Sequence, residues 1–204
     1  MLMFWNQRLV LLSTPKTGST ALETALAETA TMAISRPPEL KHTPVYRFDR
    51  LVRPWLQNSA NGARFEAVAL IREPIDWLGS WYRFRRRPDL AGSPRSTQGM
   101  DFARFVEAYM QNPRPAHADV GAQARFLSGK DNKPLGVDHL YRYEDMPALV
   151  AFLEDRLGVS LSLPRVNVSP VVETRLSPSL EARLRDYLRA EYELYAQATG
   201  EKTP

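Results

Sequence analysis

The stretch Leu9-Val10-Leu11-Leu12-Ser13-Thr14-Pro15-Lys16-Thr17-Gly18-Ser19-Thr20-Ala21-Leu22-Glu23 constrains this chain more than any other. An apolar run breaks at Pro15, passes through Lys16, Thr17, Gly18, Ser19 and Thr20, and resumes at helical spacing. That order dictates a strand, a tight turn and a helix N-terminus, where backbone N–H groups and the positive end of the helix dipole face an anion. The lysine precedes the glycine, whereas a Walker A loop places its lysine after the glycine, opening the helix. The turn suits phosphate by the same physics but points to a different nucleotide.

A second constellation narrows the choice. Phe65-Glu66-Ala67-Val68-Ala69-Leu70-Ile71 reads as a buried strand and leads into Arg72-Glu73-Pro74-Ile75-Asp76-Trp77-Leu78-Gly79-Ser80-Trp81-Tyr82. The strand ends in an arginine, and a proline in the first turn starts a helix. Ser80 stands eight positions after Arg72, about two helical turns along. One charged fork and one hydroxyl are thereby offered to a second phosphate. The competing reading of Arg72 is an ion pair with Asp76 at i+4, which leaves the arginine at the end of an apolar strand unexplained.

With both motifs in place, the chain resembles the sulfotransferase superfamily that uses 3′-phosphoadenosine 5′-phosphosulfate (PAPS). Pro15 to Thr20 looks like that family's 5′-phosphosulfate loop, and Arg72 with Ser80 matches the arginine and serine of its 3′-phosphate motif, spacing included. Leu140-Tyr141-Arg142-Tyr143-Glu144-Asp145-Met146 resembles the late strand and acidic turn; Arg165-Val166-Asn167-Val168-Ser169-Pro170 and the tail from Leu176 to Tyr195 resemble later segments. Ala21 stands where the cytosolic steroid and phenol enzymes carry an adenine-stacking tryptophan, and their late Arg-Lys-Gly segment is not visible. The bacterial and carbohydrate-modifying branches are the closer match.

The resemblance implies a roster of roles. Lys16 would sit beside the bridging oxygen between phosphate and sulfate, where charge builds as that bond breaks. The amides of Thr17, Gly18, Ser19 and Thr20 would hold the 5′-phosphate, and Arg72 and Ser80 the 3′-phosphate. PAPS would be the donor and 3′-phosphoadenosine 5′-phosphate the product, with no metal required. The family commonly places its catalytic histidine between these two motifs, and His42 occupies that interval; a near-neutral imidazole suits proton removal from a hydroxyl. Glu39 is the alternative base, and Lys41 a candidate for orienting the sulfate. His139 alternates within a strand pattern and reads as structural, and His117 as solvent-exposed.

Composition bounds the rest. At 204 residues with 44% hydrophobic and 25% charged side chains, one domain spanning 1–204 is expected. The formal charge of +4, from 27 Lys and Arg against 23 Asp and Glu, is not by itself a nucleic-acid signature. No cysteine is present, which removes disulfides, thiolate nucleophiles and cysteine metal sites. No apolar run approaches the roughly 20 residues of a membrane span, no signal peptide is evident, and a cytoplasmic protein is expected. The acceptor is expected to be a small molecule or carbohydrate.

Strands are predicted at 8–14, 65–72 and 137–143, with a short one at 32–35. Helices are predicted at 19–31, 45–57 (kinked at Pro54), 74–87, 101–111, 119–128, 145–157 and from Ser177 onward, with a mobile loop over 87–100. The alternation argues for an α/β domain of the P-loop-NTPase type: three layers, a central parallel sheet flanked by helices. Arg83, Arg85, Arg86 and Arg87 read as a solvated helix end complementing the dipole, or as a recruiting patch for an anionic acceptor. Two other functions compete. One is a P-loop kinase or NTPase, disfavoured by the order of Lys16 and Gly18 and by Arg72 ending the strand. The other is a non-catalytic polyanion-binding scaffold.

Overall fold

A computed structural model of the chain describes residues 1–164 and 172–199. It has α/β architecture around one five-stranded mixed sheet. The strands are β1 (Leu2–Phe4), β2 (Leu9–Leu11), β3 (Met32–Ala33), β4 (Glu66–Ile71) and β5 (His139–Arg142), in spatial order β3-β1-β2-β4-β5. β2, β4 and β5 run parallel, with Leu11 opposite Val68 and Val68 opposite His139. β1 pairs antiparallel with both β2 and β3.

The expectation of a wholly parallel sheet is thus corrected on one side. The reason is the turn at Trp5 to Arg8, closed by Arg8 N–H donating to the Trp5 carbonyl, with Arg8 at φ 51°. It contains neither glycine nor proline, the usual punctuation of a hairpin, so β1 does not announce itself in the sequence.

Strand periodicity sorts the core into two faces. Leu2, Phe4, Leu9, Leu11, Val68, Leu70 and Tyr141 turn to one face; Met1, Met3, Val10, Leu12, Ala67, Ala69, Ile71 and Leu140 turn to the other. Both are buried, which is why β2 and β4 read as continuous apolar runs. The first face is covered by α1 (Ser19–Leu26), which follows β2. A short α2 (Pro38–Lys41) comes after β3.

The opposite face is covered by α3 (Val45–Arg47), which passes through one π-helical stretch (Phe48–Val52) into α4 (Arg53–Ser59). Pro54 follows closely on the π-helical stretch, in the first turn of α4, so its ring and missing N–H fall where the helix is already widened. The kink expected there is therefore absorbed by the widened turn before it.

After β4 the chain forms α5 (Pro74–Arg85), α6 (Phe102–Tyr109) and the short α7 (Gln123–Leu127). α8 (Met146–Leu157) follows β5 and closes at Gly158 in the left-handed conformation. α9 (Pro178–Tyr187) and α10 (Arg189–Gln197) end the described chain; the single closing helix expected from the sequence is broken at Leu188. α8 joins α1 on the first face, α7 and α10 contribute to the second, and α5, α6 and α9 share a third cluster around Trp77, Tyr82, Phe105 and Leu184.

Two helix starts are capped by side chains: the Asp101 carboxylate accepts from Arg104 N–H at 2.8 Å and the Ser177 hydroxyl from Leu180 N–H at 3.3 Å. The 87–100 tract is not a free loop. Thr97 is fully buried, donating its hydroxyl to the Tyr82 carbonyl, and the Tyr82 hydroxyl donates to the Met100 carbonyl. Among the described residues no helix is long and apolar enough to cross a membrane. The asparagine-bearing segment Arg165 to Pro170 lies outside the described residues.

Candidate functional site

The turn between β2 and α1 lies at the carboxyl end of the parallel strands, beside the segment leaving β4. Open α/β sheets bind ligands at this edge. Lys16 (φ 66°) and Gly18 (φ 74°) are both left-handed. Glycine adopts that conformation freely; a lysine does so at a cost of about 1–2 kcal/mol.

Three hydrogen bonds hold the turn. The Thr17 hydroxyl donates to the Thr14 carbonyl at 2.9 Å, the Trp77 indole N–H to the Pro15 carbonyl at 2.9 Å, and Arg72 to the Lys16 carbonyl at 3.1 Å. The loop's carbonyls are thereby drawn toward α5. The backbone N–H groups of Thr17, Gly18, Ser19 and Thr20 find no protein partner among the described residues.

Gly18 also needs to be small. A Cβ there would lie 3.3 Å from Tyr143 Cε2 and 3.3 Å from Met146 Cε. Replacing Gly18 with alanine is expected to destabilise the fold by about 1–2 kcal/mol, read as a lowered urea midpoint. An unchanged midpoint would mean that the turn relaxes out of its left-handed form.

On the α5 side, cations outnumber carboxylates. Arg72 pairs with Asp76 at 2.6 Å, the alternative that the sequence offered, and simultaneously holds the Lys16 carbonyl. Asp76 also takes Arg83 at 3.3 Å. The Lys16 ammonium has no carboxylate partner among the described residues; it stands 4.3 Å from the Phe84 ring centroid and 5.6 Å from that of Trp81. Arg87 packs on the same Phe84 ring at 4.6 Å. Burial first, then the charges of Arg87, Arg72 and Arg83, pushes the Lys16 ammonium down to about 8.

Ser80 is buried and shares the α5 face of Trp77 and Phe84, three positions from one and four from the other. Its hydroxyl makes no protein hydrogen bond among the described residues. Two buried polar atoms bordering the loop, Thr14 Oγ1 and Trp81 Nε1, are also without partners, a condition that native interiors seldom tolerate.

The arginine run is not the solvated helix end read from the sequence. Arg85 is buried and donates to the carbonyls of Ala116 and Asp119, and Arg86 donates to the Met100 carbonyl at 3.0 Å. Arg83 and Arg87 alone remain with the Lys16 cluster.

On the other side of the turn lies His42, with Nδ1 2.7 Å from the Ser13 carbonyl. A carbonyl only accepts, so Nδ1 carries the proton in the neutral ring and Nε2 presents its lone pair. Nε2 has no protein partner among the described residues and is reached by solvent. Burial, partly offset by the Ser13 hydrogen bond, holds this imidazole below its ordinary value. Lys41 donates to Thr20 Oγ1 at 3.2 Å and pairs with the buried Glu23 at 2.8 Å.

Glu23 completes a polar core beneath the turn. It accepts from the Ser13 hydroxyl at 2.8 Å, and that hydroxyl accepts from the Met1 amine at 2.9 Å. The alternative base, Glu39, is exposed in the first turn of α2. His139 is buried, 3.3 Å from Glu66 and packed on Phe152, as a structural residue would be. His117 is half-buried rather than exposed.

The sequence reading missed Glu23, Trp77 as a loop clamp, and Asp76 as the shared counter-ion. Glu23 left a trace: it falls on the inward stripe of α1 with Ser19, Leu22 and Leu26, where a carboxylate needs a partner.

Glu144, after β5, accepts from Glu73 N–H at 2.8 Å and from the Tyr195 hydroxyl at 3.1 Å. It lines a concavity of about 390 Å³ together with Tyr141, Arg142, Asp145 and Tyr195. A larger one, about 580 Å³, lies between Met110–Arg114 and Tyr187 and includes no residue of the loop. The donors converge at the turn, not in that larger hollow. Among the described residues no cluster of three His, Asp or Glu side chains is placed to hold a metal ion. Comparison of the chain with protein-family models, with curated proteins and with solved structures finds no match in any of the three.

Proposed function

We propose that this chain is a PAPS-dependent sulfotransferase that moves a sulfuryl group to a hydroxyl or amine of a small-molecule or carbohydrate acceptor. The observation that carries the reading is the turn itself. Four N–H groups at a helix start and, within the same loop, a lysine all lack partners among the described residues, and an arginine from the next parallel strand grips the lysine's carbonyl. Helix N-termini and backbone nests are anion sites. The unpartnered Thr14 Oγ1 and Trp81 Nε1 fit a site completed by a polar ligand.

In this reading the amides of Thr17 to Thr20 hold the 5′-phosphate, and Lys16 holds the charge that develops on the leaving oxygen. Arg72 keeps unused N–H donors beyond those given to Asp76 and Lys16, and with Ser80 it takes the 3′-phosphate. His42 Nε2 receives the acceptor's proton, its tautomer fixed by Ser13. PAPS supplies the activated sulfuryl group. The domain is then of the P-loop type over 1–204, its parallel β2-β4-β5 core extended by the N-terminal hairpin.

Calorimetric titration with 3′-phosphoadenosine 5′-phosphate, ADP and ATP–magnesium tests this. Binding of the bisphosphate in preference to both others, lost in Arg72→Ala that remains folded and weakened in Ser80→Ala, is the expected result. Preference for ATP–magnesium would replace it with a kinase. Binding of heparin with no nucleotide bound would replace it with a polyanion scaffold.

A proton balance checks Lys16 separately. An ammonium held near 8 in the free protein rises when a phosphate anion settles beside it. Binding the bisphosphate at pH 8 to 9 is therefore expected to take up part of a proton, read from the dependence of the binding heat on the buffer's ionisation enthalpy. The uptake is expected to vanish in Lys16→Met, and its absence from the wild type would place the anion elsewhere.

A further inference from the structure

The helical run from Val45 to Ser59 has two unlike faces. Val45, Phe48 and Leu56 are buried in the sheet core. Arg47, Arg50, Leu51, Pro54 and Trp55 are all exposed, at the spacing i, i+3, i+4, i+7 and i+8 that forms one helix stripe. Leu51 is 60% and Trp55 56% exposed, the highest values among the large apolar side chains described; Leu40, in neighbouring α2, follows at 53%.

The charge on this stripe is of one sign. Arg47 and Arg50 form no ion pair among the described residues, and the nearby Asp49 is committed to Arg53 at 2.8 Å on the flank. No carboxylate lies on the stripe itself.

We infer that this stripe docks the protein onto an anionic lipid surface, with Leu51 and Trp55 entering the headgroup–acyl boundary and Arg47 and Arg50 meeting lipid phosphates and carboxylates. An indole beside aliphatic and guanidinium groups is the composition of an interfacial helix. Each arginine near an anionic leaflet adds attraction that salt screens. A second copy of the chain suits the surface poorly, because a two-fold contact would gather four arginines with no carboxylate on the stripe to meet them.

Sedimentation of the full chain with vesicles of phosphatidylcholine alone, or with about one-third phosphatidylserine, tests the inference. Binding to the anionic vesicles only, weakened by salt, is expected. Leu51→Ala with Trp55→Ala should weaken it by about tenfold or more, and Arg47→Glu with Arg50→Glu should do the same. These side chains are exposed, so the fold is expected to persist, verified by unchanged melting.

Trp77 is buried and Trp5 and Trp81 are half-buried, so a blue shift of emission on vesicle binding reports chiefly on Trp55. It should disappear in Trp55→Phe. Equal binding to both vesicle types, or none, would overturn the inference. So would a dimer in solution that Leu51→Ala with Trp55→Ala dissolves, since a second copy would then cover the stripe. None of these outcomes depends on nucleotide binding at the turn.

Discussion

Replacing Lys16 with methionine is expected to slow sulfuryl transfer by about 10²–10³-fold while weakening binding of the intact donor far less. The asymmetry follows from where the ammonium stands. It is held over the Phe84 and Trp81 rings without a carboxylate partner, so its charge is not spent on the ground state. The donor is also gripped by backbone N–H groups that the substitution leaves in place. Charge on the leaving oxygen is absent from the intact donor and grows as the bond breaks, and binding energy realised only then appears in the rate. Single-turnover transfer to an acceptor used by the wild type, set beside titration of the donor without acceptor, separates the two effects. Equal losses in rate and in donor affinity would make Lys16 a plain binding residue.

The largest structural effect is expected at Glu23. Its side chain is 8% exposed and that of Lys41 14%, so the pair is well shielded from water. Removing one member leaves the other charge buried and unpaired, which costs about 3–5 kcal/mol. Glu23→Ala is expected to lower unfolding stability by about 3 kcal/mol, read from urea denaturation. Lys41→Met in the same chain should return part of that loss, because it removes the stranded ammonium; a double-mutant cycle measures the coupling. Additive losses would mean that the two side chains act independently. The same substitution also releases the Ser13 hydroxyl, whose residue orients His42 through its carbonyl. A fall in rate beyond the fraction unfolded is therefore expected as well.

The parts legible in the sequence were those written in consecutive residues. Pro15 to Thr20 and Arg72 to Ser80 each contain a strand end, a turn and a helix start, so local spacing placed them at one edge of the sheet. The predicted helix limits at 101, 157 and 177 fall beside Asp101, Gly158 and Ser177, because caps act on neighbouring backbone groups. What escaped notice depends on distant pairing. β1 is short, its turn lacks glycine and proline, and its partners β2 and β3 flank it on both sides. Arg85 reads as one more surface cation until the carbonyls of Ala116 and Asp119 are seen to meet it. The tautomer of His42 rests on a carbonyl 29 positions away. Of the two readings of Arg72 the ion pair with Asp76 is present, and the same guanidinium also holds the Lys16 carbonyl, a contact 56 positions away that local spacing does not announce.

The clamp on the Pro15 and Lys16 carbonyls separates two properties that usually travel together, rigidity and protection. Trp77 and Arg72 fix the turn from behind, while the amides of Thr17 to Thr20 in front hold no acceptor. Those amides are therefore expected to exchange their hydrogens with solvent deuterium far faster than the stiffness of their backbone suggests. Slowing confined to these four positions becomes a direct gauge of an anion in the turn, legible even where no catalytic assay exists.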